Sequence, residues 1–171
     1  MTTPLLQFRA IARPVYLGLV LLLGSTAWGQ ADGWTGMYVF GDSYSDSGAG
    51  YVDGNGPTAV VYLARELNIP FTHANDPARK DMGLNFAVSG AKTGEGEGKK
   101  IKESLLGRGM KNQVADFVSR VGRGEIRFDP SRTFFFIAGG LNDRRVPTET
   151  TIANLEDEMR QLYAAGARHF F

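Results

Sequence analysis

The chain has 171 residues, 43% of them hydrophobic and 22% charged, which is the make-up of one ordinary globular domain. Residues 1–29 carry two positive charges and no negative ones, so beyond them 17 basic residues face 18 acidic ones, a net charge of minus one that gives no electrostatic basis for binding nucleic acid or an anionic membrane surface. The absence of cysteine excludes disulfides, a thiolate nucleophile and cysteine-ligated metal, and the two histidines, His73 and His169, stand far apart and outside any His-x-x-x-His pattern, so no metal is expected.

In chain order, Arg9 and Arg13 lead into the apolar run Tyr16 to Leu23 and then into small residues, the arrangement of a secretory signal peptide. That run is far shorter than the roughly 20 residues a membrane span needs. Ala27 and Gly29 place small side chains at the minus-three and minus-one positions of a cut before Gln30, with a cut after Ala27 as the alternative. The expectation is a signal peptide over 1–29, a domain over 30–171, a secreted or periplasmic location and no integral membrane segment after cleavage. Uncleaved anchoring is the competing possibility.

Met37 to Phe40 reads as a buried strand ended by Gly41. The Gly-, Ser-, Asp- and Asn-rich stretch 41–56 reads as loop, and Thr58 to Leu67 as a helix opened by Pro57. His73 falls in a loop after Ile69-Pro70. Leu84 to Val88 is a second short strand, and the glycine-rich stretch from Gly94 to Gly109 predicts a surface loop or lid. Its Gly94-to-Lys100 portion fails as a phosphate loop, because the glycine spacing is one residue short, no Ser or Thr follows the lysine, and Glu95 and Glu97 would repel phosphate.

A helix follows from about Met110 to Val121, with Val114, Phe117, Val118 and Val121 on one face. Thr133 to Ala138 is too apolar to have a wet face, so both of its faces should be covered, as in a parallel sheet. Pro147 and Thr148 introduce a long helix to about Ala165, with Ile152, Leu155, Met159 and Leu162 as its apolar stripe and Glu149, Glu156, Asp157 and Glu158 as its solvated face. Ala167 to Phe171 begins another strand. Alternating strands and helices imply βαβ units and hence an α/β, doubly wound parallel sheet, here expected to be incomplete at the C-terminus.

Three segments suggest chemistry. Phe40-Gly41-Asp42-Ser43-Tyr44-Ser45-Asp46-Ser47-Gly48 follows a strand directly, which puts Ser43 at the C-terminal edge of a parallel sheet, where open α/β folds bind ligands. Asn85-Phe86-Ala87-Val88-Ser89-Gly90-Ala91 and Gly140-Leu141-Asn142-Asp143 each follow a strand as well. Taken singly, each is also what a capping or turn-forming loop looks like. Taken together, in this order and spacing, they resemble the conserved blocks of the SGNH/GDSL hydrolases, with Tyr44 in place of the family's Leu, and the resemblance runs from Met37 to Phe171.

The resemblance implies an α/β/α sandwich and a carboxylic-ester hydrolase acting on a small-molecule or lipid ester, with no cofactor and no metal. It implies Ser43 as nucleophile and Ser43, Gly90 and Asn142 as oxyanion hole, with Asp46 and Asp143 bracing the loops. The family's Asp-x-x-His, which carries the base, has no match here, since Gly166-Ala167-Arg168-His169-Phe170-Phe171 is similar to a strand block instead and His73 lacks the preceding Asp. The alternative is therefore a truncated, catalytically incompetent fragment or a non-catalytic binding module of the same fold.

Overall fold

Six consecutive residues, Gly36–Gly41, form strand β1, and every one of them is buried. Strands bury side chains alternately on their two faces, and β1 does so with large residues on both. Met37 and Val39 pack with Val60 and Ala64 of helix α1 (Ala59–Glu66), while Tyr38 and Phe40 pack with Val114 and Phe117 of helix α2 (Met110–Gly122) and Leu162 of helix α3 (Thr148–Ala164). Strand β6 (Thr133–Ala138) repeats the pattern, sending Phe134 and Phe136 toward α1 and Phe135 and Ile137 toward α2 and α3. The sheet is thus covered on both faces, as its apolar sequence requires. The computed structural model describes residues 33–48, 55–76, 83–102 and 104–171, and the expected signal peptide and its cleavage site lie outside the described residues.

The remaining strands of the sheet are β2 (Thr72–His73), β3 (Gly83–Asn85) and β7 (His169–Phe170), and the five run in the order β2-β3-β1-β6-β7. All the pairings are parallel. From β1 the chain first builds to one side through β2 and β3, then crosses to build the other side through β6 and β7. The direction of winding reverses at β1, so the crevice at its C-terminal end is the topological switch point of a doubly wound sheet. β3 is shorter than the expected Leu84-to-Val88 strand, yet the chain stays alongside β1, because the Phe86 and Val88 amides donate to the Val39 and Gly41 carbonyls at 2.8 and 3.1 Å.

Phe117 is the hub of the core, fully buried and with ring centroids 4.8–5.9 Å from those of Tyr38, Phe40, Phe86, Phe128 and Phe135.

Four expectations need correction. The glycine-rich stretch is not a loop or lid but an antiparallel hairpin of β4 (Glu97–Ile101) and β5 (Ser104–Arg108). His73 belongs to β2 and pairs with Asn85 of β3. On α3 the expected apolar residues Ile152 and Met159 are 52% and 38% exposed, whereas Glu158, assigned to the wet face, is fully buried. The reason is geometric: Glu158 lies three residues after Leu155 and four before Leu162, on the face turned to the core. Neither of its carboxyl oxygens has a hydrogen-bond partner.

Candidate active site

The loop after β1 begins as one helical turn. The Asp42 carbonyl accepts the amides of Ser45 and Asp46, both at 3.0 Å, and the Asp42 carboxylate accepts the Tyr44 amide at 3.1 Å. Ser43 and Tyr44 stand exposed at the crown of this turn, while Asp42, Ser45 and Asp46 are buried beneath it. Beneath the turn, the Gly41 amide donates to Gln113 Oε1 at 3.0 Å, and Gln113 Nε2 donates to the carbonyls of Gly41 and Arg108, both at 2.9 Å. A side chain at Gly41 would collide with the Ala138 carbonyl of β6, so glycine is required where the strand turns upward.

The turn after β3 is tied to this loop from two directions. Asp46 Oδ2 accepts the Ser89 amide at 2.7 Å and the Ser89 hydroxyl at 2.8 Å, and Asp46 Oδ1 accepts the Gly48 amide at 2.9 Å. Asn85, itself fully buried, donates from Nδ2 to the Ser45 carbonyl at 2.6 Å and to Ser47 Oγ at 2.8 Å. Gly90 then adopts φ +78°, a conformation glycine takes without strain. The hairpin is seated on the same turn, because the Gly107 amide donates to the Ser89 carbonyl at 2.8 Å.

The loop after β6 closes the arrangement. Asn142 donates from Nδ2 to the Ala91 carbonyl at 2.8 Å, one residue beyond Gly90. Asp143 accepts the Thr93 amide at 3.1 Å, the Thr93 hydroxyl, and the Thr151 hydroxyl of α3 at 2.9 Å. Ser43, Gly90 and Asn142 therefore stand one in each of three loops that follow three adjacent strands, and the loops are fastened together by buried side chains. Asp46 and Asp143 occupy the bracing positions the sequence suggested.

Residues 37–171 match the family described as GDSL-like Lipase/Acylhydrolase. The chain belongs to the GDSL-like lipase/acylhydrolase family. Its chemistry is accordingly of the hydrolase type, with small-molecule esters as the substrates that the family suggests. Among curated proteins none matches the sequence. No helix of the described residues is long and apolar enough to cross a membrane.

In this GDSL-family chain neither histidine stands beside Ser43. His73 is on β2, two strands from β1, a lateral separation of roughly 10 Å at the usual strand spacing. His169 pairs with Phe134, which pairs with Met37, so it sits four residues, roughly 13 Å, short of the Gly41 end of β1. Its ring packs against Trp34 at 5.0 Å instead. Ser45 is 2% exposed, which removes it from the surface a substrate reaches.

Gln113 was missed by the sequence argument. A glutamine three residues after Met110 and beside Val114, on the apolar face of α2, is the signal that could have found it. A buried amide on such a face needs partners, and the end of β1 supplies them.

Proposed function

We propose that Ser43 is the nucleophile of a carboxylic-ester hydrolase, with the amides of Ser43 and Gly90 and the side-chain amide of Asn142 as oxyanion donors. The observation that carries the reading is the joining of three post-strand loops at the switch point of the sheet, with Ser43 exposed on the first. Ser43 Oγ attacks the ester carbonyl, and its proton passes through a base to the departing alcohol as the carbon–oxygen bond breaks. Water then attacks the acyl-serine, the same base returning the proton to Ser43.

Asn142 Nδ2 has two hydrogens, and the one not given to Ala91 is available to the developing oxyanion. One such donor is worth roughly 3–4 kcal/mol in the transition state. Gly90, exposed and free of a side chain, lets substrate approach its backbone. Export to a secreted or periplasmic location fits the signal-like residues 1–29 and remains part of this proposal.

A second reading, a cleft that binds without turning over, is favoured by one observation, the distance of His73 and His169 from Ser43. Removing the base histidine of a serine hydrolase costs about six orders of magnitude in turnover. Added imidazole can stand in for such a base. With p-nitrophenyl acetate and imidazole, the chain should release nitrophenolate faster than its Ser43→Ala form and carry acetyl on the Ser43 peptide by mass spectrometry. Acetyl on another residue would move the nucleophile, and equal rates would leave the binding reading.

A further inference from the structure

A cleft of about 740 Å³ opens beside the candidate site, within the size range of small-ligand pockets. Gly48, at the end of the Ser43 loop, and His73 of β2 form one wall, and Lys100, Leu105 and Arg108 of the hairpin form another. Two ties link its walls to the loops of the site already described, although Ser43, Gly90 and Asn142 do not themselves line it. The Gly48 amide is held by Asp46, the same carboxylate that holds Ser89, and the hairpin is fastened to the Ser89-Gly90 turn through Gly107.

The lining does not suit a fatty acyl chain, because Leu105 is its one large apolar side chain among the described residues. Lys100, Arg108 and Arg120 outnumber the two carboxylates of the lining, Glu97 and Asp116, and the three cations differ in how far they are already used. Arg120 is committed to Asp116 at 2.8 Å and to the Ala74 carbonyl at 2.9 Å. Arg108 has Glu97 at 3.7 Å, a carboxylate 86% exposed and so well hydrated, which leaves the attraction weak. Lys100 forms no ion pair among the described residues. His73 adds a buried Nδ1 without a hydrogen-bond partner.

We infer that this cleft receives the non-reacting part of the ester and selects a compact one bearing an anionic group, a carboxylate or a phosphate, held by Lys100 and Arg108 with His73 beside them. The inference rests on the Ser43 site proposed above and adds the substrate class. Charge-assisted hydrogen bonds from two cations favour such a group over an uncharged one of the same shape.

The test is binding to the full chain carrying Ser43→Ala, so that nothing is turned over and the result stands apart from the nucleophile assignment. Monomethyl succinate, monobutyl phosphate and uncharged dimethyl succinate are titrated by calorimetry. At least one anionic probe should bind ten times more tightly than dimethyl succinate, weaken with added salt, and lose about tenfold in each of Lys100→Ala and Arg108→Ala. Lys100 is exposed on the hairpin, so its replacement leaves the fold in place, as circular dichroism of the variant should show. The anionic probe that binds identifies which head group is preferred. Binding of dimethyl succinate as tight as the anions, no binding of any probe, or anion binding that survives both substitutions would each overturn the inference.

Discussion

The Asp46 carboxylate accepts two hydrogen bonds from one residue, the amide and the hydroxyl of Ser89, and through them joins the loop after β1 to the turn after β3. Asp46 is fully buried, so the bonds are shielded from water. Replacing it with alanine takes that buried acceptor away from the Ser89 amide and hydroxyl. The expected loss is about 1–3 kcal/mol in urea unfolding, together with a loss of the Ser43-dependent acylation described above. Acylation unchanged in a destabilised Asp46→Ala protein would separate the brace from the chemistry.

Phe117→Ala should be the more damaging change to the fold, costing about 3–5 kcal/mol, because five aromatic rings lose their common neighbour and a cavity remains. The thermal midpoint of unfolding checks this. A loss below 1 kcal/mol would mean that the core collapses to fill the space.

Glu158 makes stability depend on pH. Burial raises its carboxyl from 4.5 to about 8, Asp157 of the same helix and Asp143 of the loop after β6 push in the same direction, and Lys111 of α2 opposes them. The folded protein therefore holds a proton that the unfolded chain has released, and stability from this group is full below about pH 4.5 and is lost as pH rises toward 8. Glu158→Gln should remove that slope and raise stability at pH 8 by on the order of 3 kcal/mol. Denaturant titrations of both proteins at pH 5 and pH 8 measure it, and parallel behaviour would show that the carboxyl finds a partner in solution.

With p-nitrophenyl acetate, which carries no anionic group for the cleft that His73 borders, His73→Ala and His169→Ala should leave the imidazole-supported, Ser43-dependent release of nitrophenolate within about twofold of the parent, since neither ring is placed to relay the serine proton. A hundredfold fall in either variant would identify a base that the sheet geometry argues against.

What was legible in the sequence follows from physical signal strength. β1, β6, α2 and α3 were read to within a residue or two, because dense apolar runs and three-and-four spacing leave few other solutions. The hairpin was not, since every residue of β4 is exposed and its sequence, Glu97-Gly98-Lys99-Lys100-Ile101, shows no apolar alternation. Its pairing rests on backbone bonds and on glycines that fit close contacts, which composition presents as a loop. Ser43, Gly90 and Asn142 were suggested by motif, and Asn85 stood at the head of one motif without a role, but Gln113, which anchors the first loop from below, lies in a stretch read only for its apolar content. Glu158 was misplaced because its charge outweighed its position between Leu155 and Leu162.

The pairing of β1 with β6 also governs when the protein can fold. Thr35 and Arg132, 97 positions apart, already meet at the start of this strand pair, and the register continues to Gly41 and Ala138. Contacts of such long range make folding slow, since a large loop must close before any of them forms. During synthesis the first strand emerges early and waits, without its central neighbour, until residue 138 has followed it. A chain with this connectivity completes the centre of its sheet only late in its elongation.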